Sequence, residues 1–355
     1  MKLLKRTLAL LLLLATLLSS VSCLDGTALG GDEGGSGDGA GKPSAAQPNT
    51  RVFYDYFDTW GTLYDYSGAS YESFSRVADE VEALIKEYHE LYDIYGFYSG
   101  KNNLATINAN AGGDPVPVDG KIIELLKFSK EVYEITNGET NVAFGAVLSI
   151  WHDYREAGVA IPDIADLREA AKHCDINCVI IDEARGTVQL TDPEMSLDVG
   201  AVAKGFAVEK VAEYIKSRGL DSYFFDMGGN LRAIGAKPDG SAWRAASKNN
   251  TDGSYAAIFE LRDSALVTSG SSERAYFVDG VRYHHIIDRV TLFPENRYLS
   301  VSVHAPSSAL ADALSTAVFN MEIEEAEALV SQMPEISLVF VLADGSVLKM
   351  GKDFS

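Results

Sequence analysis

A chain of 355 residues with 46% apolar residues can bury a large core, and its sequence contains no internal repeat. Thirty Lys and Arg against 51 Asp and Glu leave a net charge of −21, which excludes a nucleic-acid surface built on clustered basic residues. Three cysteines exclude a disulfide framework.

The chain opens as an export signal. Lys2, Lys5 and Arg6 precede an apolar run over residues 8–18, too short for a membrane span. The segment 1–22 then closes on Ser19-Ser20-Val21-Ser22-Cys23, small residues running into a cysteine as in a bacterial lipobox, with Ser20 where leucine is usual. Residues 23–50 hold eight glycines and little to bury, which reads as a flexible tether behind a lipidated Cys23. The expected location is the extracytoplasmic face of a bacterial cell membrane, with residues 51–355 as the folded domain.

Residues 51–66 read as strand. Residues 71–92 read as a helix burying Phe74, Val77, Val81, Leu84, Ile85, Tyr88 and Leu91. Residues 95–108 read as a polar loop, and 121–136 as a helix ended by Asn137-Gly138. A short helix over 162–173 and a hairpin over 178–190 follow. Next, a strand-like run ends at Asp198, Gly200 breaks the geometry, and a helix starts with Lys204 in its first turn.

Strands then recur irregularly from Tyr223, through Gly228-Gly229-Asn230 and Thr268-Ser269-Gly270, to His304. Ser307 or Ser308 caps a helix over 309–321, another helix covers 323–332, and a hairpin over 337–350 ends the chain. Without a regular βαβ period, this alternation predicts an α+β fold with mixed or antiparallel sheets flanked by helices.

Lys204 at a helix N-terminus opposes the helix dipole and calls for an anion, either a phosphate or the solvated setting of a surface lysine. Asp312 and Thr316, four apart on one helix, form either a hard-oxygen pair suited to Mg²⁺ or a solvated face. His284 and His285 near Asp288 lack zinc-site spacing and read as packing or hydrogen-bonding groups in a strand. Cys174 and Cys178 read as buried thiols. No dinucleotide glycine motif or Walker lysine is present.

The order of these signals is more specific than any one of them. Asp198-x-x-Ala201-x-x-Lys204-Gly205 is followed by Met227-Gly228-Gly229-Asn230, Thr268-Ser269-Gly270, His285-Ile286-Ile287-Asp288 and Ala311-Asp312-Ala313-x-x-Thr316-Ala317. The series resembles the ApbE family, the FAD:protein FMN transferases, also described as flavin-trafficking lipoproteins. That resemblance implies binding and Mg²⁺-dependent cleavage of FAD, with FMN passed through its phosphate to a Ser or Thr hydroxyl of an acceptor flavoprotein, and AMP released. It implies that Asp198 and Lys204 contact FAD. The Ala201 carbonyl, Asp312 and Thr316 would hold Mg²⁺, while His285, Ile286 and Ile287 line the flavin site and Gly61-Thr62 form an early nucleotide-contacting segment.

Two positions depart from the family pattern. Asn141 stands where many members have Asp, offering hydrogen bonds to the ligand without charge, and Arg289 stands where proline is usual, as a surface charge or a group reaching phosphate. Asp198 and Asp312 are the candidate general bases. The alternatives are an Mg²⁺-dependent FAD pyrophosphatase yielding FMN and AMP, and a non-catalytic flavin-binding lipoprotein.

Overall fold

A computed structural model describes residues 21–23, 47–272 and 274–354. The predicted signal segment up to residue 20 and most of the tether lie outside the described residues.

The described chain runs β1 (Val21–Cys23), β2 (Asn49–Tyr56), β3 (Thr59–Asp65), α1 (Tyr71–Tyr92), α2 (Leu104–Ala109), β4 (Val116–Pro117), α3 (Gly120–Ile135), α4 (Gly145–Ala157) and α5 (Ile164–Ala170). It continues β5 (Val179–Asp182), β6 (Thr187–Leu190), α6 (Ala203–Ser217), β7 (Tyr223–Met227), β8 (Asn230–Ile234), β9 (Trp243–Lys248), β10 (Tyr255–Leu261), β11 (Ala265–Gly270), β12 (Tyr276–Val278) and β13 (Val281–Tyr283). The last elements are β14 (Tyr298–Ala305), α7 (Ser308–Asn320), α8 (Ile323–Gln332), β15 (Ser337–Leu342) and β16 (Val347–Gly351). Short 3₁₀ turns link some of them.

The centre is an eight-stranded sheet in the order β16-β15-β14-β11-β8-β7-β3-β2, antiparallel at every pairing. Both faces are covered, so its central strands β7, β8 and β14 are buried nearly throughout instead of alternating. On β7, Tyr223, Phe225 and Met227 pack with Val77, Val81 and Ile85 of α1 and Val208, Val211 and Ile215 of α6. Phe224 points the other way, into a core with Leu231, Trp243, Phe259 and Val341. That second layer is a smaller sheet, β1-β9-β10. Two- and three-stranded sheets, β12-β13 and β4-β6-β5, complete the α+β architecture.

The helix predicted over 71–92 forms with those bounds, its N-terminus held by the Ser70 side chain accepting from the Ser73 N–H. Leu84 of its predicted face is only half-buried. Three expectations need correction. Residues 51–66 are a hairpin, not one strand, because Phe57 and Asp58 adopt φ of 53° and 55° and reverse the chain in two residues. Residues 95–108 are not all loop: Asn103 builds a capping box with Thr106 and starts α2. No strand leads into Asp198; extended loop ties to the fold through the Asp198 N–H donating to the Val142 carbonyl, 2.8 Å away.

At the C-terminus, His304 links the Ser264 hydroxyl (2.9 Å) to the Asp353 carboxylate (2.6 Å). The ring of Phe259 packs against both His304 and Phe354, so the hydrogen-bonded chain pins the last turn to the sheet.

Candidate active site

The ends of several elements surround a cleft of about 710 Å³. Its walls are the β2–β3 hairpin tip (Asp58, Thr59), the β7–β8 turn at Gly228, the end of β11 (Thr268 to Gly270), the start of α6, one face of α7, and α4. The β7–β8 turn must be glycine: Gly228 has φ of +60°, and a methyl there would overlap the Thr59 side chain. The turn also delivers Asn230, whose side-chain oxygen accepts from the Ser308 hydroxyl and fixes the start of α7.

The core of the site is the crossing of α6 and α7. Gly205 lets them touch, since a methyl there would overlap Asp312 Cβ and fall 2.5 Å from the Ser308 carbonyl oxygen. The same approach brings the Gly205 N–H to 2.7 Å from Asp312 Oδ2 and Lys204 Nζ to 3.1 Å from Oδ1. A continuous helix would give the Gly205 N–H to the carbonyl four residues back, that of Ala201. Here α6 begins only at Ala203, Asp312 takes the Gly205 N–H, and the Ala201 carbonyl ahead of the helix accepts no hydrogen bond among the described residues. Thr316, one turn beyond Asp312, is half-buried in the cleft wall, and its hydroxyl likewise has no hydrogen-bond partner among the described residues.

Lys204 therefore already has an anionic partner, the buried Asp312 carboxylate. Its charge also bears on Asp226 at the end of β7, whose carboxyl burial pushes up to about 6 against the Gly229 N–H and Lys204. Asp198 lies half-buried in the cleft with one oxygen accepting from the Gly200 N–H at 2.8 Å. Burial raises its pKa, opposed by that N–H and by the charges of Arg274, His152 and Arg155.

Asp198, Ala201, Lys204, Asp312, Thr316, Asn141, His285, Ile286 and Ile287, which span 175 residues from Asn141 to Thr316, all line this one cleft. Gly61 and Thr62 do not. Gly61 packs beneath Phe225 and Phe53, and Thr62 faces Val52 and Asp226 within the sheet, two and three residues along β3 from Thr59.

The Asn141 amide is occupied by its own fold: Nδ2 donates to the Cys174 carbonyl (2.9 Å) and Oδ1 accepts from the Ala143 N–H (2.9 Å). A carboxylate could accept the second bond but would face the Cys174 carbonyl with no proton to offer. This accounts for an amide here and makes Asn141 a brace for the segment whose Val142 carbonyl holds Asp198.

Arg289 is not a free surface charge; its Nε donates to Glu139 Oε1 at 2.8 Å across the cleft wall. Burial nonetheless raises the Glu139 pKa, and its second oxygen is buried without a partner among the described residues. His284 donates from Nε2 to the Glu295 carbonyl (2.6 Å) and accepts from the Ile286 N–H at Nδ1 (3.2 Å). Burial lowers its pKa to about 4, so it is a neutral anchor for the loop that carries His285. Among the described residues no three His, Cys, Asp or Glu side chains gather as a metal site. Cys174 and Cys178 are free and half-buried, and burial raises the Cys174 thiol to about 11. The sequence does not single out Arg155 and Arg274, which reach the cleft from different elements with no local motif around them, and Glu139 sits beside Asn141 at a position the family pattern leaves open.

A cleft of this size, lined by a carboxylate, an uncommitted carbonyl and hydroxyl, and lysine and arginine side chains, suits an elongated anionic ligand. Residues 60–340 match the ApbE family. The chain is 37% identical over 292 residues to the FAD:protein FMN transferase of Treponema pallidum, covering 77% of this chain and 80% of that one. It is 29% identical over 275 residues to a FAD:protein FMN transferase of Klebsiella pneumoniae, covering 77% and 84%. The ApbE protein of Thermotoga maritima superposes with a TM-score of 0.76 at 25% identity, covering 87% of this chain and 98% of that one. The flavin transferase ApbE of Vibrio cholerae gives 0.71 at 25% identity, covering 86% and 98%. The chain belongs to the ApbE family.

Proposed function

We propose that this protein is a FAD:protein FMN transferase, and that the cleft is where FAD is split. The observation that carries the reading is the convergence of Asp198, Ala201, Lys204, Asp312 and Thr316 on one cleft, in a chain whose curated relatives are named for that reaction. The acceptor hydroxyl attacks the FMN phosphorus, the phosphorus–oxygen bond to AMP breaks, and AMP leaves with the electron pair. The hydroxyl proton goes to a base. Both Asp312 oxygens are engaged by Lys204 and Gly205, whereas Asp198 keeps one oxygen clear of hydrogen bonds among the described residues and has raised basicity. Asp198 is therefore the base in this reading.

The donor set fits Mg²⁺: an anionic oxygen from Asp312, the unengaged Ala201 carbonyl and the unengaged Thr316 hydroxyl, all hard ligands. Bound there, Mg²⁺ would neutralise charge on the diphosphate and the departing AMP. Phosphoryl transfer otherwise asks for positioning, which falls to Lys204, Arg155 and Arg274 for the anionic chain, and to Ile286, Ile287 and His285 for the ring system.

Product accounting tests the reading. With FAD, Mg²⁺ and an acceptor flavoprotein bearing a Ser or Thr site, AMP should appear without a matching amount of free FMN. Equal AMP and FMN would identify a pyrophosphatase instead. Activity should rise with pH through an apparent pKa above the usual carboxylate range, as Asp198 loses its proton, and Asp198→Asn should remove that limb along with most turnover. An unchanged profile in Asp198→Asn would reassign the base.

We also propose attachment to the extracytoplasmic face of a bacterial membrane through a lipidated Cys23. No helix among the described residues is long and apolar enough to cross a membrane. Cleavage before Cys23 would leave only its pairing with Ala245 from the β1 strand. Labelled fatty acid should enter the wild-type protein and not Cys23→Ser; an unlabelled wild type would end this proposal.

A further inference from the structure

We infer that Lys204 is a resident cation of the metal site: its ammonium and a divalent metal ion compete for the same Asp312 oxygen, and a diphosphate ligand relieves the competition by drawing Lys204 away. This inference rests on the reading above that Asp312 is the carboxylate ligand of the metal.

The geometry leaves few other choices. Asp312 is 6% exposed and has two oxygens. Oδ2 is held at 2.7 Å by the Gly205 N–H, a backbone group fixed by helix contact, so it cannot turn away. The oxygen left without a backbone bond is Oδ1, and Lys204 Nζ already holds it at 3.1 Å. Two cations on one poorly solvated oxygen repel each other with little screening, so each weakens the other's hold.

Lys204 can leave, and the metal's other ligands cannot follow it. Its side chain is 22% exposed and ends a flexible four-carbon stem, whereas the Ala201 carbonyl is backbone and Thr316 is fixed on α7. The buried Asp226 carboxyl already feels the lysine's charge and offers one alternative partner. A diphosphate lying in the same cleft offers a stronger one, with several anionic oxygens. In the empty protein the metal must break an ion pair to bind; with a diphosphate present it need not. Metal and nucleotide affinities are then coupled through a residue that touches both, and the coupling must be reciprocal.

The direct test is a nucleotide-free titration with Mn²⁺ followed by electron paramagnetic resonance, so that no turnover enters the reading. Lys204→Met keeps the stem and removes the charge, and Lys204→Arg keeps a charge. Lys204→Met should bind Mn²⁺ about tenfold tighter than wild type or better, within the usual range of coupling factors, while Lys204→Arg should stay near wild type. Adding ADP should tighten Mn²⁺ binding to wild type by a larger factor than to Lys204→Met. Equal or weaker Mn²⁺ binding by Lys204→Met, with binding still abolished by Asp312→Asn, would overturn the competition and leave the metal assignment standing. Mn²⁺ binding indifferent to Asp312→Asn would overturn both. A melting temperature for each variant excludes misfolding as the cause.

Discussion

Replacing Asp312 with Asn should lower AMP release from FAD by a factor of at least about 10²–10³, the scale of losing one preorganised electrostatic group, while the protein still melts cooperatively. The amide oxygen can keep the Gly205 N–H, but the other end of the side chain then presents a donor to Lys204 in place of an acceptor. The donor set of Asp312, Ala201 and Thr316 loses its carboxylate, leaving only neutral oxygens in it for a metal next to a doubly charged diphosphate.

Asn is the informative variant because Ala is not silent. From the sequence, Asp312 reads as a helix-face position that tolerates Ala; in the structure it is 6% exposed and bonded on both oxygens. Asp312→Ala would strand the Gly205 N–H, at about 1–3 kcal/mol. Steady-state AMP release and thermal melts of the two variants separate chemistry from folding. Wild-type turnover by Asp312→Asn would remove Asp312 from the reaction.

Gly205→Ala should damage the site severely. The added carbon overlaps Asp312 and meets the Ser308 carbonyl oxygen at 2.5 Å, so α6 and α7 must separate. Their packing is also tied at the start of α7: Glu209 of α6 accepts from the Ser308 N–H at 2.7 Å and holds the buried Arg232. Separation therefore disturbs a charged network as well as a contact. Overpacking of this kind costs about 1–3 kcal/mol, and displacement of Asp312 from Gly205 should remove Mn²⁺ binding in the same variant. Gly120→Ala is the control, since a methyl there meets nothing within 4 Å and the backbone is at a helix start. A Gly205→Ala protein that melts and binds metal like wild type would mean the helices have slack that the structure does not show.

The parts of the fold legible in the sequence are those whose cause is local. The apolar spacing from Phe74 to Leu91 marks α1, Ser307 marks the start of α7 through its bond to the Leu310 N–H, and Gly228-Gly229 marks a two-residue hairpin turn. The turn at Phe57-Asp58 was hidden because neither residue is glycine or asparagine, and α2 was hidden among polar residues although Asn103 and Thr106 had the capping spacing. Within the site, the ordered motifs located Asp198, Lys204 and Asp312, because family resemblance carries order along the chain. They could not show that Lys204 and Asp312, 108 residues apart, are bonded to each other, nor that Arg289 is spoken for by Glu139. Those pairings depend on how α6 crosses α7 and on which loops face each other, and single residues along the chain do not record that.

The most direct test of the central claim is the intact mass of an acceptor flavoprotein after incubation with this protein, FAD and Mg²⁺. The account predicts that the acceptor gains one FMN less a water, that the gain survives denaturation, and that it disappears when the acceptor Ser or Thr is replaced by Ala or when Asp312→Asn is used. An acceptor of unchanged mass while FAD is consumed to FMN and AMP would contradict it.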